Sequence, residues 1–171
     1  APIVILLHGH GRDHTDFDPL VPVLHRAGFA VMALDLRGHG DSVGLPAMGL
    51  AERVARRDRE LFEEMYRDVT AAYLWLRDRP EIDRARFAII GASVGCSIAL
   101  DYAGRDPSVD ALVGLSPGIR YLGIDSVADV RKLEQRRLLL LAGESERAAA
   151  DRLGQIADEA TVQIYPDQPE Q

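Results

Sequence analysis

The sequence predicts an α/β fold, a mostly parallel sheet of about six strands with helices on both faces. Three observations carry that prediction. Short apolar runs rich in branched side chains alternate with stretches of helical period along the 171 residues. Most of those runs end at Gly, Asp or Ser, the residues that turn a chain out of a strand. No repeat, low-complexity tract or linker interrupts the pattern, so residues 1–171 read as a single domain.

Taken in order, Ile3 to Leu7 is a continuous apolar run stopped by His8-Gly9, as expected of a strand buried on both faces. Thr15 or Asp16 is placed to cap a helix that carries Leu20, Val23 and Leu24 on one face and ends at Gly28. Phe29 to Leu34 reads as a second buried strand closed by Asp35, followed by the loop Arg37-Gly38-His39-Gly40. The stretch from Gly44 to Arg59 starts as loop, turns helix-compatible around Ala51 to Val54, and is the one candidate for a short lid. Leu61, Met65, Val69, Ala72, Tyr73 and Leu76 recur at helical spacing, and Pro80 marks the stop.

Phe87 to Ile90 is the third strand and runs into Gly91-Ala92-Ser93-Val94-Gly95, after which a small-residue helix continues through Ile98, Ala99 and Tyr102. Ala111 to Leu115 and Leu138 to Leu141 supply the fourth and fifth strands. Ser145 is placed to cap a helix through Ala148, Leu153 and Ile156, and Thr161 to Tyr165 is the sixth strand. A central-type strand begins at the third residue, and a polar tail, Pro166 to Gln171, stands where a covering helix is expected. Both ends therefore read as trimmed.

Composition narrows the function classes. Twenty basic against 27 acidic side chains give a formal charge of −7, and the basic residues, Lys132 the only lysine among them, are scattered. Neither a nucleic acid nor an anionic membrane is expected as the main partner of such a surface. Cys96 stands alone, which excludes an internal disulfide and a cysteine-built zinc site. No apolar run approaches the ~20 residues of a membrane span, and no charged segment precedes an apolar one as in a signal peptide. Compartment and oligomeric state are not legible.

Chemistry enters at residues 91–95. G-x-S-x-G between a strand and a helix presents a serine hydroxyl on a tight turn, above the carboxyl edge of the sheet and at a helix N-terminus. The plainer reading is a serine helix cap flanked by packing glycines. His8-Gly9-His10-Gly11, after the first strand, is where acyl-transfer sites with this turn draw a backbone N–H for the oxyanion hole. The donors here would be the amides of His10 and Val94; a glycine-rich loop that merely ends a strand is the alternative.

The His8–Gly11 loop, Asp35-Leu36-Arg37-Gly38-His39-Gly40-Asp41-Ser42, the Ser93 turn, Leu115-Ser116-Pro117-Gly118 and Gly143-Glu144-Ser145-Glu146, in that order, resemble the α/β-hydrolase superfamily. The likeness is nearest to its small lidless esterases and dienelactone-hydrolase-like members. It implies an incomplete hydrolase fold whose six strands correspond to the family's third through eighth. It also implies a Ser93 acyl-enzyme acting on a carboxylic ester or related acyl bond of a small molecule, with no cofactor. The family's triad runs serine, acid, histidine. Glu146 stands at the acid's place with Glu144 beside it, and Asp125, after the preceding strand, is the other candidate. The family's histidine follows the last strand, where this sequence has none. Histidines 8, 10, 14, 25 and 39 all lie in the first quarter, so that role falls on no residue. His8 and His39 read as structural and His25 as a surface residue. A triad short of one member keeps about 10³–10⁴-fold catalysis over water, so the chain as written is expected to be weak or inactive.

Three other readings compete. His8, His10, Asp13 and His14 are similar to the H-x-H-x-D-H run of metallo-β-lactamases, but the spacing is one residue too long and no histidine follows His39. No native metal is therefore expected. Gly9, Gly11 and Asp35 fit a dinucleotide-binding fingerprint whose third glycine is His14 instead, and Asp35 has a simpler role as a loop-orienting carboxylate. A hydrolase fold without its base could also be a binding module that uses the pocket above Ser93. Cys96 lies on the helix rather than the turn, which makes it a buried small hydrophobe and not a nucleophile.

Overall fold

The computed structural model describes residues 1–167. Strands β1 (Pro2–Leu7), β2 (Ala30–Leu34), β3 (Asp83–Ala92), β4 (Ala111–Leu115), β5 (Arg137–Gly143) and β6 (Ala160–Tyr165) form one sheet in the order β2-β1-β3-β4-β5-β6. Every pairing is parallel. All carboxyl ends therefore open on one edge. The chain steps outward from β1 to β2, then returns to place β3 on β1's other side. That reversal makes the gap between the β1 and β3 loops the topological switch point, where open α/β sheets take their ligands.

The helices are α1 (Val21–Arg26), α2 (Leu50–Ala55), α3 (Arg59–Glu63), α4 (Tyr66–Arg77), α5 (Val94–Arg105), α6 (Ser126–Val130) and α7 (Arg147–Gly154). Alternation along β1 sends Ile3, Ile5 and Leu7 to one face, where they pack with Val69 and Leu76 of α4, Ile98 of α5, Val130 of α6 and Leu153 of α7. Val4 and Leu6 point the other way, against Phe17, Leu20 and Leu24 around α1. Each such side chain contributes about 1.5–3 kcal/mol by leaving water. The two layers are unequal: β4 alternates buried with half-buried residues, whereas Ile3 to Leu7 of β1 are all buried.

Several expectations need correcting. β2 is half-buried throughout, because it is the edge strand and only β1 flanks it. The first helix is broken into a 3-10 turn at His14–Phe17 and α1, and Asp13 rather than Thr15 or Asp16 supplies the cap, accepting from Thr15 N–H at 2.9 Å. Pro19 follows the turn, and Pro22 enters at the start of α1, where a missing N–H costs nothing. The long helix from Leu61 is two pieces, α3 and α4. Between them Glu64 and Met65 donate to carbonyls three residues back, those of Leu61 at 3.3 Å and Phe62 at 3.1 Å, and both Phe62 and Met65 are in the core. Ser145 sits inside a 3-10 turn, Glu144–Glu146, and does not cap α7.

Within 44–59, Pro46–Met48 forms a 3-10 turn that leaves Leu45 before it and Met48 at its end exposed, and α2 then plants Val54 in the core.

Candidate active site

Ser93 links β3 to α5 with φ +53° and ψ −118°, a positive-φ conformation that costs a side-chain-bearing residue about 1–3 kcal/mol. The surroundings hold it there. Its N–H donates to the Leu115 carbonyl at 2.8 Å, and its carbonyl accepts from Cys96 N–H at 3.0 Å. A methyl group on Gly91 would sit 2.3 Å from the Gly95 carbonyl oxygen, and one on Gly95 would sit 2.2 Å from that of Leu7. Strand and helix thus meet backbone to backbone, and only glycine fits at either position.

The β1 loop lies directly against this turn: a methyl group built on Gly9 would be 3.5 Å from Ser93 Cβ. His8 shapes that loop. Its Nε2 accepts from Leu36 N–H at 3.1 Å, so Nδ1 carries the proton and donates to the Gly9 carbonyl at 2.7 Å. Burial holds the His8 pKa below the ordinary histidine value, which keeps the ring neutral in this tautomer. Arg12 N–H reaches the same carbonyl at 3.2 Å. The peptide plane is rigid, so pinning the Gly9 oxygen aims the His10 N–H the opposite way. Among the described residues neither the His10 nor the Val94 amide donates to any group, and Val94 opens a helix whose N-terminus favours negative charge.

The acid candidates part company. Glu146 accepts from its own loop at Gly143 N–H, 3.1 Å, and pairs with no cation among the described residues. Glu144 is bound twice by Arg147 at 2.7 Å, and that contact lowers its pKa. Asp125 is committed elsewhere, capping α6 through Ala128 N–H at 3.1 Å and pairing with Arg120. Asp167 enters as a carboxylate the sequence reading missed. It accepts from Ser145 N–H at 3.1 Å and from Ser145 Oγ at 3.1 Å. Its signal was available: a residue two past a parallel strand must stand on the carboxyl edge. An open groove of about 470 Å³ there is lined by Ser116, Gly143, Glu146, Tyr165 and Asp167. The loop expected to hold the family's histidine continues into 168–171, outside the described residues.

The remaining histidines are accounted for. His39 is buried; its Nδ1 donates to the Arg37 carbonyl at 3.2 Å, and burial, then the adjacent His8, lower its pKa. His14 donates to Asp35 at 2.8 Å, a contact that raises the His14 pKa. Asp35 also accepts the His14 and Asp41 amides; burial alone would raise its pKa, but these bonds hold it low. Both its oxygens are therefore spent on orienting loops. His25 is exposed. The histidine run does not converge: His8 is used at both nitrogens, His10 reaches the Val54 carbonyl at 3.1 Å, and Asp13 and His14 instead meet Asp35. Cys96 is buried, its thiol pushed up to about 12 by burial.

Known proteins resemble this chain in sequence and in fold. The family model for serine aminopeptidase, S33, matches residues 1–167. An uncharacterised protein of Mycobacterium tuberculosis is 32% identical over 143 residues, which are 82% of this chain and 44% of that protein. A monoacylglycerol lipase of Mycolicibacterium smegmatis is 31% identical over 126 residues, 67% of this chain and 41% of the lipase. The chain thus spans less than half the length of these relatives. Among solved structures, a dienelactone hydrolase from Anabaena variabilis superposes with a TM-score of 0.75 at 22% identity, covering 97% of this chain and 74% of that one. An acetyl xylan esterase from Thermoanaerobacterium gives 0.73 at 18%, covering 98% and 69%. Both likenesses are of fold.

Proposed function

The chain belongs to the serine aminopeptidase, S33, family on an α/β-hydrolase fold, and from that premise we propose that it is a serine hydrolase of carboxylic esters or related acyl bonds. Ser93 Oγ attacks the acyl carbon and, with no histidine base, gives its proton to water; the alkoxide takes a proton from water as the ester bond breaks and leaves as the alcohol, and water then attacks the Ser93 ester and frees the acid. The carbonyl oxygen turns negative in both steps and accepts from the His10 and Val94 amides. Glu146 is placed to orient a histidine base, with Asp167 across the same groove. No histidine of this sequence takes the base's role, so the chain as written turns over slowly. Residues 1–171 act as one domain, and 44–49, with Leu45 and Met48 exposed, are the part of the lid candidate that stands outside the core.

One observation carries the reading: Ser93 is held at positive φ between two obligatory glycines, beside two amides with no partner among the described residues. The monoacylglycerol lipase relative and the esterase neighbours favour an ester over an amide as the first substrate to try. The test is labelling by a fluorophosphonate, followed by hydrolysis of p-nitrophenyl esters of graded chain length. The expected result is slow labelling that disappears in Ser93→Ala. Equal labelling of both proteins overturns the assignment and leaves a binding module on a hydrolase fold.

A further inference from the structure

The His10 side chain faces away from the work expected of its amide. Its Nε2–H donates to the Val54 carbonyl on α2 at 3.1 Å, and its ring packs 5.7 Å from Phe62 on α3. Flanking Gly11 has positive φ and open space around it, so little else restrains the loop on that side. The Gly9–His10 peptide is thus gripped at two points. His8 and the Arg12 amide hold its oxygen, and the His10 imidazole ties its Cα to α2.

The anchor itself is sharply placed. α2 rests on Gly38, where φ is +80° and an added methyl group would lie 2.6 Å from Val54 Cγ2 and 2.8 Å from the Leu50 carbonyl oxygen. Val54 is buried, and the neighbouring Leu50 packs against the core. Through Val54 and His10, the seat of α2 on Gly38 is mechanically continuous with the β1 loop.

We infer that His10 is a positioning residue: its imidazole couples the placement of α2 to the direction of the His10 N–H, so that whatever shifts α2 changes stabilisation of the oxyanion. The inference rests on the proposed acyl transfer for its kinetic consequence, and on geometry alone for the coupling. A substrate or ligand that leans on the 44–55 segment would then tune kcat without touching Ser93. An amide displaced from the oxyanion loses its effect only where charge has developed, so KM should hold while kcat falls.

Two readouts separate the coupling from the chemistry. In the amide NMR spectrum, Gly38→Ala, which forces α2 off its seat, should move the Gly9, His10 and Gly11 resonances. In the His10→Phe background, which keeps a ring on Phe62 but lacks the N–H, Gly38→Ala should leave Gly9 and Gly11 in place. Should Gly38→Ala fail to fold, Val54→Ala loosens the same seat. On a p-nitrophenyl ester, His10→Phe should lose about ten- to a hundredfold in kcat with KM within about twofold, and His10→Gln, whose amide reaches the same carbonyl, should recover most of it. The two lesions should be non-additive in kcat. Loop resonances that ignore α2 overturn the coupling, as does full kcat in His10→Phe while Ser93→Ala is inert. Turnover indifferent to Ser93→Ala overturns the proposed function instead, and the resonances still decide the coupling.

Discussion

The turn at Ser93 and the loop at Glu146 stand on the same edge of the sheet, with β4 between their strands, and they are built in opposite ways. At Ser93, strand, helix and the β1 loop meet backbone to backbone, and two glycines are dictated by contacts under 2.5 Å. At Glu146 the groove is open, and each carboxylate satisfies itself on a nearby N–H, hydroxyl or guanidinium. A site fixed by exclusion leaves almost no choice of residue. A site made of solvated carboxylates leaves several choices open, and Glu144, Glu146 and Asp167 share the region.

The most forceful way to break this contrast is to add one carbon to the tight side. Gly95→Ala brings a methyl group against the Leu7 and His8 carbonyl oxygens, at 2.2 and 2.6 Å, and neither backbone can yield without disturbing β1. A loss of about 3 kcal/mol or more is expected from the urea midpoint. Glu146→Gln, by comparison, should cost about 1 kcal/mol at most, since it retains an acceptor for Gly143 N–H. If the two substitutions destabilise alike, the contrast is wrong.

That asymmetry explains what could be read from sequence. The strands were legible because burial on a parallel sheet demands apolar runs, and Ala111–Leu115 was found to the residue. Ser93 was legible because a strand, two glycines and a small-residue helix leave one geometry. What failed was decided by context beyond the local chain. β2 looked buried because its composition matches β1, and only the strand order makes it an edge. Asp125 looked available until Arg120 and the α6 amide claimed it. Asp167 went unseen because its place two past β6 puts it on the carboxyl edge but does not name its partner, a serine 22 residues away.

Ser93 offers a sharper test with the opposite sign. Its positive φ is tolerated only because neighbours enforce it, so Ser93→Gly should stabilise the fold by about 1 kcal/mol while abolishing labelling. Asp125→Ala should do the reverse, losing about 1 kcal/mol of helix capping with labelling intact. Labelling that falls further in Asp125→Ala than in Glu146→Gln would move the acid role to Asp125.

The remaining expected effect is in pH, and its sign separates the buried histidines from the partly exposed His14. His8 and His39 have pKa values lowered by burial, so below about pH 6.5 the unfolded chain takes protons that the folded chain refuses. Stability should fall with acidification at up to about 1.4 kcal/mol per pH unit for each ring, until the folded rings protonate. His14 works the other way. Its pKa is raised by Asp35, so its contribution is complete below about pH 6.5 and is lost as pH rises through its folded value. That side chain is 43% exposed, so screening leaves the contribution small beside the other two. Urea midpoints between pH 5 and 8 should therefore drop on the acid side, and His14→Ala should steepen the drop slightly. Midpoints that rise on acidification in His14→Ala as well would mean that the buried rings, His8 among them, are protonated in the folded state. The His8 Nε2 would then donate rather than accept, the Leu36 amide would lose its acceptor, and the fixed tautomer that aims the Gly9–His10 peptide would no longer be the reason for the loop's shape.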